Sequence, residues 1–231
     1  MKKLVFLFAL FAFACSGAFA ATSEIVAGEV MKNAQSRIDD IGFRILNYNG
    51  IEKRTVFDFD SKSTKNAYSR TSNRQIVIFR GLYNRLDSDD ELAAVLSHEI
   101  SHSVDSYNGI FRGFFSPLSY HFAPKKYEYK ADKKAVDYMV NAGYNPVALI
   151  VVMSKTFPQA RYDWCSTHPL TSRRMMEVYE YIYKKYPEYL AHNVYKNNAY
   201  YQNFLLTSKE NRAKFQKKVE TNSKRSVIIC R

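Results

Sequence analysis

The sequence has few of the residues that interrupt or cross-link a chain. Its 231 residues include only 8 glycines, 6 prolines and 3 cysteines, and it contains no internal repeat and no low-complexity segment. Hydrophobic residues nevertheless make up 46% of the chain and aromatic residues 15%, which is enough to bury a substantial core. The composition therefore excludes a repeat array and a mainly disordered chain. It predicts one domain of ordinary size with a further segment at each end.

The N-terminus carries a long uncharged run. Lys2 and Lys3 precede an apolar stretch, and Ala18-Phe19-Ala20 supplies the small-x-small pattern that signal peptidase accepts. Residues 1–20 are therefore predicted to be a signal peptide, which makes the protein exported, either periplasmic or secreted. Two alternatives stay open. The 18 uncharged residues 4–21 reach the lower limit for an uncleaved membrane anchor, and Cys15 could carry a lipid.

Removal of the signal peptide leaves two cysteines, Cys165 and Cys230. In an oxidising compartment they could form a disulfide, and two buried free thiols are the equal alternative. No histidine arrangement accompanies either cysteine, so a thiol nucleophile is not expected.

The net charge of +12 is concentrated near the C-terminus. Residues 184–231 hold eleven Lys or Arg and three Glu, whereas residues 21–183 are nearly neutral. Residues 186–231 are therefore interpreted as a basic C-terminal extension. A solvated helix face explains this charge most simply, and contact with an anionic membrane surface is the alternative. No nucleic-acid motif is present, so nucleic acid is not an expected partner. The oligomeric state is left open.

The hydrophobic pattern predicts a mostly helical α+β domain with a small sheet. Strands are predicted at 54–60, 66–69 and 75–80, with Gly81 ending the third, and a fourth short strand is predicted at 226–229. Helices are predicted at 23–41, 88–107 with a stop at Asn108-Gly109, 124–141, 145–155, 171–186 and 208–219. The aromatic segment 111–121 is predicted to be a loop.

The helix predicted to start at Ser88 contains a metal-binding pattern. Ser88 and Glu91 form a capping box, which marks the start of the helix. His98 and His102 are four residues apart, so they lie on one helix face about 6 Å apart and can bind one Zn²⁺ per chain. Glu99 lies beside the metal and is placed to take a proton from the activated water and pass it to the leaving amine.

A catalytic zinc site needs a third protein ligand. His121, His168 and carboxylates on a neighbouring helix are candidates. Glu128 and Asp132 are four apart on a predicted helix, so Glu128 could be the ligand and Asp132 could accept a hydrogen bond from a ligand histidine. The same spacing also fits two solvated charges among neighbouring lysines.

Four segments in order resemble peptidase family M48, a family of zinc metallopeptidases. The run from Asp90 to His102 carries the closest resemblance. Asn66-Ala67-Tyr68 is similar to the family's Asn-Ala-aromatic signature, and the segment from Glu128 to Asp132 to its Glu-x-x-Ala-Asp motif. His168-Pro169 with Arg174 is similar to its His-Pro-x(4)-Arg segment. The resemblance covers residues 25–183.

The resemblance implies a zincin-like (gluzincin) domain over residues 21–185, with the small sheet beside the helix of His98. It implies that Glu128 is the third zinc ligand, that Asp132 supports a ligand histidine, and that Arg174 holds the local structure by pairing with Asp132. His168 is expected near the open coordination position, where an imidazole can stabilise the oxyanion.

Substrate contacts are also implied by the resemblance. The strand 75–80 is expected to present an edge to which an extended peptide can add, so the predicted substrate-binding residues are Asn66, Ile76, Val77 and Ile78. The chain differs from the family in its segment 69–74, Ser-Arg-Thr-Ser-Asn-Arg, which stands where a glycine-rich stretch is common.

The expected function is zinc-dependent endopeptidase activity on cell-envelope proteins, in protein quality control. The alternative is a chaperone-like binding module on the same fold with little proteolysis. A latent protease, whose cleft is covered by the tail or by the loop 111–122, is a variant of that alternative.

Overall fold

The computed structural model describes residues 28–70, 73–112, 124–157 and 171–229, with side chains for all of these except 106–112, 124–125 and 222–229. The strands are β1 (Val56–Asp60), β2 (Ala67–Arg70) and β3 (Gln75–Phe79). The helices are α1 (28–48), α2 (Arg80–Tyr83), α3 (Asp89–Arg112), α4 (Pro124–Asn141), α5 (Val147–Thr156), α6 (Thr171–Lys185), α7 (Glu188–Ala191), α8 (Ala199–Thr207) and α9 (Lys209–Ile229). The prediction of a mostly helical α+β fold with a small sheet is confirmed over these residues.

Several predicted boundaries are wrong. Helix α1 continues past residue 41 to residue 48, because Ile45 and Leu46 extend its buried stripe. Helix α3 runs through Asn108-Gly109, since one glycine inside a helix costs only about 1 kcal/mol relative to alanine. Residues 226–229 belong to helix α9 and not to a strand.

The prediction that Gly81 ends β3 is wrong. The strand ends at Phe79, and Gly81 lies inside the single turn α2. A Cβ atom built on Gly81 would lie 2.0 Å from the backbone oxygen of Ser63, so only glycine fits under the β1–β2 connection.

The sheet has the order β1-β3-β2, with β1 parallel and β2 antiparallel to β3. Strand β3 is therefore hydrogen-bonded on both sides, and the expectation that it presents an edge to substrate is wrong. This pairing leaves no backbone open for an added strand, and the side chains of Ile76, Val77 and Ile78 are buried in the core. Among the described strands, the one at the border of the sheet near α3 is β2.

The outer edge of β1 is covered by a side chain of α1. The amide nitrogen of Gln35 donates to the carbonyl of Phe57 at 2.8 Å, and the backbone N–H of Phe59 donates to the Gln35 amide oxygen at 2.7 Å. Gln35 thus takes the place of a neighbouring strand on this border. Gly42 of α1 lies directly against the ring of Phe57. A Cβ atom built on Gly42 would be only 2.6 Å from that ring, so glycine allows α1 to pack closely on β1.

One hydrophobic core joins the sheet, the central helices and part of the C-terminal extension. Tyr201, Phe204 and Phe215 of the extension are buried in the same cluster as Leu96 of α3 and Ile182 of α6. The hydroxyl of Tyr195 donates to the carboxylate of Asp90 at 3.1 Å, which fastens the extension to the start of α3. The division of the chain at residue 185 stays a prediction.

Some expectations fall on residues that the structure does not describe. The signal peptide 1–20, Cys15, Cys165 and Cys230 lie outside the described residues. Among the helices that are described, none combines the length and apolar character needed to cross a membrane.

Candidate metal centre

The start of α3 is fixed by a variant of the predicted capping box, in which the glutamate side chain reaches the residue before the cap. The hydroxyl of Ser88 accepts a hydrogen bond from the backbone N–H of Glu91 at 3.2 Å, and the Glu91 carboxylate accepts one from the backbone N–H of Asp87 at 3.0 Å. The buried Glu91 carboxylate also pairs with the ammonium group of Lys155 at 2.7 Å. These contacts anchor the first turn of α3 against α5.

Three donor atoms converge between α3 and α4. The Nε2 atoms of His98 and His102 lie 3.0 Å apart. The Glu128 carboxylate oxygens lie 3.6 Å from Nε2 of His98 and 3.2 Å from Nε2 of His102. A tetrahedral zinc ion with ligand bonds of about 2.05 Å separates its donor atoms by about 3.3 Å. The three side chains therefore fit a single zinc ion in their present positions.

Packing of α4 along α3 brings Glu128 to the histidines. The buried Ala131 and Ala135 leave α4 without bulk on part of its surface, which permits a close approach of two helices. Asp105 of α3 pairs with Lys134 at 2.5 Å and with Lys130 at 3.2 Å. These contacts set the register of α4 on α3.

A buried carboxylate and a buried guanidinium support the donor atoms. Oδ1 of Asp132 lies 3.0 Å from Nδ1 of His98, although the ring is not aligned for a full hydrogen bond. Arg174 donates two hydrogen bonds to Asp132, from Nε at 2.8 Å and from Nη2 at 2.6 Å. Its third nitrogen, Nη1, lies 2.9 Å from Oε2 of Glu128. The pairing of Arg174 with Asp132 was expected, whereas its contact with Glu128 was not.

These contacts set the charges of the site. Burial alone raises the pKa of Glu128, but the hydrogen bond from His102 and the nearby His98 and Arg174 outweigh it and lower that pKa to about 2. Burial alone also raises the pKa of Asp132, but the hydrogen bonds from Arg174 and the nearby His98 ring outweigh it and lower that pKa. Burial lowers the pKa of Arg174, yet its partners raise it above its ordinary value. Both carboxylates are therefore ionised near neutral pH, as metal binding requires.

Glu99 lines the same cavity as the three donor side chains. The cavity has a volume of about 420 Å³ and extends between α3, α5 and the border strand β2. Asn66, together with Ala67, Tyr68 and Ser69 of β2, forms part of its wall, so the structure does bring Asn66 to the site. Ile76, Val77 and Ile78 do not line the cavity, in keeping with their burial in the sheet.

Sequence reasoning missed the contribution of α5 to this cavity. Leu149, Val152 and Met153 line it, but α5 is apolar on all sides between Val147 and Met153. Periodicity therefore carries no signal for the face that meets the cavity. Residues 111–112 of the predicted loop belong to helix α3, so that part of the prediction is wrong, whereas residues 113–122, His121 and His168 lie outside the described residues and are not placed.

Two comparisons with known proteins found similar sequences. A curated relative, the mitochondrial metalloendopeptidase OMA1 of Arabidopsis thaliana, is 30% identical over an alignment of 126 residues, and the match covers 43% of this chain and 26% of the relative. The chain thus spans about a quarter of the length of that relative. The sequence profile of peptidase family M48 matches residues 32–112 and 109–182, more than half of the chain, and these segments contain His98, Glu128 and Arg174. The chain therefore belongs to peptidase family M48, the metallopeptidase family that its motifs predicted.

Proposed function

We propose that the protein is a zinc-dependent endopeptidase. The observation that carries this proposal is the convergence of His98, His102 and Glu128 in a cavity that also contains the Glu99 carboxylate. Two imidazoles and one carboxylate are a donor set typical of catalytic zinc in peptidases. These three residues would hold a single ion per chain.

The chemistry follows from the positions of the side chains. Zinc, when bound, supplies Lewis acidity that polarises a substrate carbonyl and lowers the pKa of water towards about 7. Glu99 accepts the proton of the attacking water and transfers it to the amine nitrogen as the peptide bond breaks. Asp132 and Arg174 keep His98 and Glu128 in place. His168, by resemblance to the family, stabilises the oxyanion.

Substrate is proposed to bind along β2. This strand lies at the border of the sheet and lines the cavity, whereas β3 is paired on both sides and β1 is covered by Gln35. An extended peptide that adds to β2 would pass in front of Glu99 with its backbone hydrogen-bonded to the strand. Asn66, at the start of that border, is the polar residue proposed to help hold it.

The biological setting rests on the sequence. Export by the predicted signal peptide would place the enzyme among cell-envelope proteins, and the family resemblance suggests a role in their quality control. The exposed lysines of α9, which are Lys209, Lys214, Lys217 and Lys218, support contact with an anionic membrane surface. Proteins and peptides, and not nucleic acids, are the proposed substrates.

Cleavage of casein by the predicted mature chain, residues 21–231, is expected to depend on zinc. A chelator should remove the activity, and stoichiometric Zn²⁺ should restore it, because His98, His102 and Glu128 suit a small tetrahedral cation. Mg²⁺ serves as the control and should not restore activity. Cleavage that survives complete metal removal would refute the proposal, and a zinc-loaded chain that leaves casein intact would favour the chaperone-like or latent alternative.

A further inference from the structure

Helix α5 presents an apolar face to the catalytic cavity. Its residues from Val147 to Met153 are all buried. Leu149, Val152 and Met153 recur at helical spacing and line the cavity, whereas Val147 and Val151 are buried in the core and do not line it. The sequence of α5 therefore supplies a cavity wall without a charge.

Three other elements extend this apolar wall. Leu82 comes from α2, Val95 from α3, and Phe157 follows the last residue of α5. Val95 lies one helical turn before Glu99, so the apolar wall continues directly into the group proposed to move the proton. Phe157 is 48% exposed, which leaves part of its ring in contact with solvent. The apolar lining and the candidate metal ligands thus belong to one continuous cavity.

The size and chemistry of the cavity select its occupant. Its volume of about 420 Å³ falls within the range of about 300–1,000 Å³ that is typical of ligand pockets. A large apolar side chain would gain packing contacts with Leu149, Val152 and Met153 and would cover part of the exposed Phe157 ring, which is favourable. Lys65 and Arg174 also line the cavity, but a carboxylate or ammonium group placed against Leu149, Val152 and Met153 would lose its hydration with no partner on these three side chains.

We propose that this apolar part of the cavity is a specificity pocket that accepts a large apolar substrate side chain, such as Leu or Phe, next to the bond that is cut. This inference rests on the proposed endopeptidase function. It names the substrate class as segments with exposed large apolar residues, which are buried in folded proteins and accessible in unfolded ones.

The preference is measured with Ser/Gly-rich peptides that differ only in one residue, which is Leu, Phe, Asp or Lys. For the wild-type chain, kcat/KM should be higher for the Leu and Phe peptides than for the Asp and Lys peptides. The difference should be about 10–200-fold or more, because a single methylene group in a hydrophobic pocket already changes kcat/KM by that range. The Glu99→Gln variant should bind the same peptides in the same order in a calorimetric titration. This second measurement does not depend on turnover.

Two matched valine variants locate the pocket. Val152→Ala enlarges the cavity, so the ratio of kcat/KM for Phe over Leu should rise about tenfold. Val151→Ala removes the same two methyl groups one residue away in the core, and it should leave that ratio unchanged. A ratio taken on one preparation is independent of the folded fraction, so loss of stability does not obscure it. Val152→Phe, which fills the pocket, should abolish the preference.

The outcomes separate the pocket from the proposed activity. Cleavage without a preference for Leu or Phe, or equal effects of Val152→Ala and Val151→Ala, would overturn the pocket and leave the endopeptidase proposal standing. Selective binding of Leu and Phe peptides without cleavage by the zinc-loaded chain would support the pocket and refute the endopeptidase proposal. Absence of both binding preference and cleavage would refute both.

Discussion

Replacement of Glu99 by glutamine is expected to abolish peptide hydrolysis and to leave zinc bound. Glutamine has nearly the same shape but cannot accept the proton of the attacking water, so kcat/KM should fall by about 10²–10⁴-fold. Glu99 lies outside the three converging donor side chains, which are His98, His102 and Glu128, so the metal content should stay at one zinc per chain. The measurement combines initial rates on casein with the zinc content of the same preparation.

Glu177→Gln is the matched control for this prediction. It makes the same chemical change on α6, where Glu177 is partly exposed and pairs with Lys133 at 2.9 Å. Surface substitutions of this kind change stability by no more than about 0.5 kcal/mol, so its activity should stay close to that of the wild type. Undiminished cleavage in Glu99→Gln would remove Glu99 from the mechanism. Loss of zinc would instead assign Glu99 to the metal site.

Replacement of Arg174 by alanine is expected to destabilise the folded chain and to weaken zinc binding. The change leaves two buried carboxylates, Glu128 and Asp132, without the guanidinium that now contacts both. Removing one partner of a buried ion pair costs about 3–5 kcal/mol of unfolding free energy. Loss of support behind metal ligands typically lowers metal affinity by about 10–100-fold. Urea unfolding and a zinc titration with a competing chelator measure the two effects.

Two arginine variants make the Arg174 prediction specific. Arg173→Ala changes an exposed neighbour on the same helix and should alter the free energy of unfolding by no more than about 0.5 kcal/mol. Arg174→Lys keeps the charge but cannot reproduce the paired hydrogen bonds to Asp132, so it should restore only part of the lost stability. If Arg174→Ala were as stable as Arg173→Ala, the buried ion network would not hold the site together.

The sequence predicts the metal-binding helix well because helical spacing fixes relative positions within one element. His98 and His102 are brought together by α3 alone, and the capping box at Ser88 marks where that helix starts. The contribution of Glu128 depends on how α4 packs against α3, which spacing cannot show. Spacing alone therefore could not exclude that Glu128 is a solvated surface charge. The structure removes that alternative, because Glu128 is buried.

The sheet shows the opposite case, in which local pattern was insufficient. The alternation along the chain identified three strands but not their order, since pairing partners depend on contacts distant in sequence. Strand β3 reads as an apolar run, and such a run is typical of a central strand with neighbours on both sides. The role of Gln35 as a substitute strand on β1 has no signature in the sequence, because one glutamine on a helix is usually solvated.

The extension after residue 185 shows how net charge can conceal packing. Its many lysines suggested a solvated tail, and most side chains of α9 that the structure describes are indeed exposed. Three aromatic residues nevertheless enter the core, which are Tyr201, Phe204 and Phe215. A few anchors in a charged segment are enough to attach it, although they hardly change its average composition. Helix α8 carries two of these aromatic anchors, Tyr201 and Phe204, and the sequence analysis did not predict it.

The zinc content of the purified chain tests the central claim most directly, when wild type is compared with single alanine variants of His98, His102 and Glu128. His192→Ala is the matched control, because His192 is an exposed histidine at the end of α7. The account predicts one zinc per chain in the wild type and in His192→Ala, and a large loss of zinc in each of the other three variants. Retention of full zinc content in His98→Ala, His102→Ala or Glu128→Ala would contradict the assigned site, as would a wild-type chain that binds no zinc.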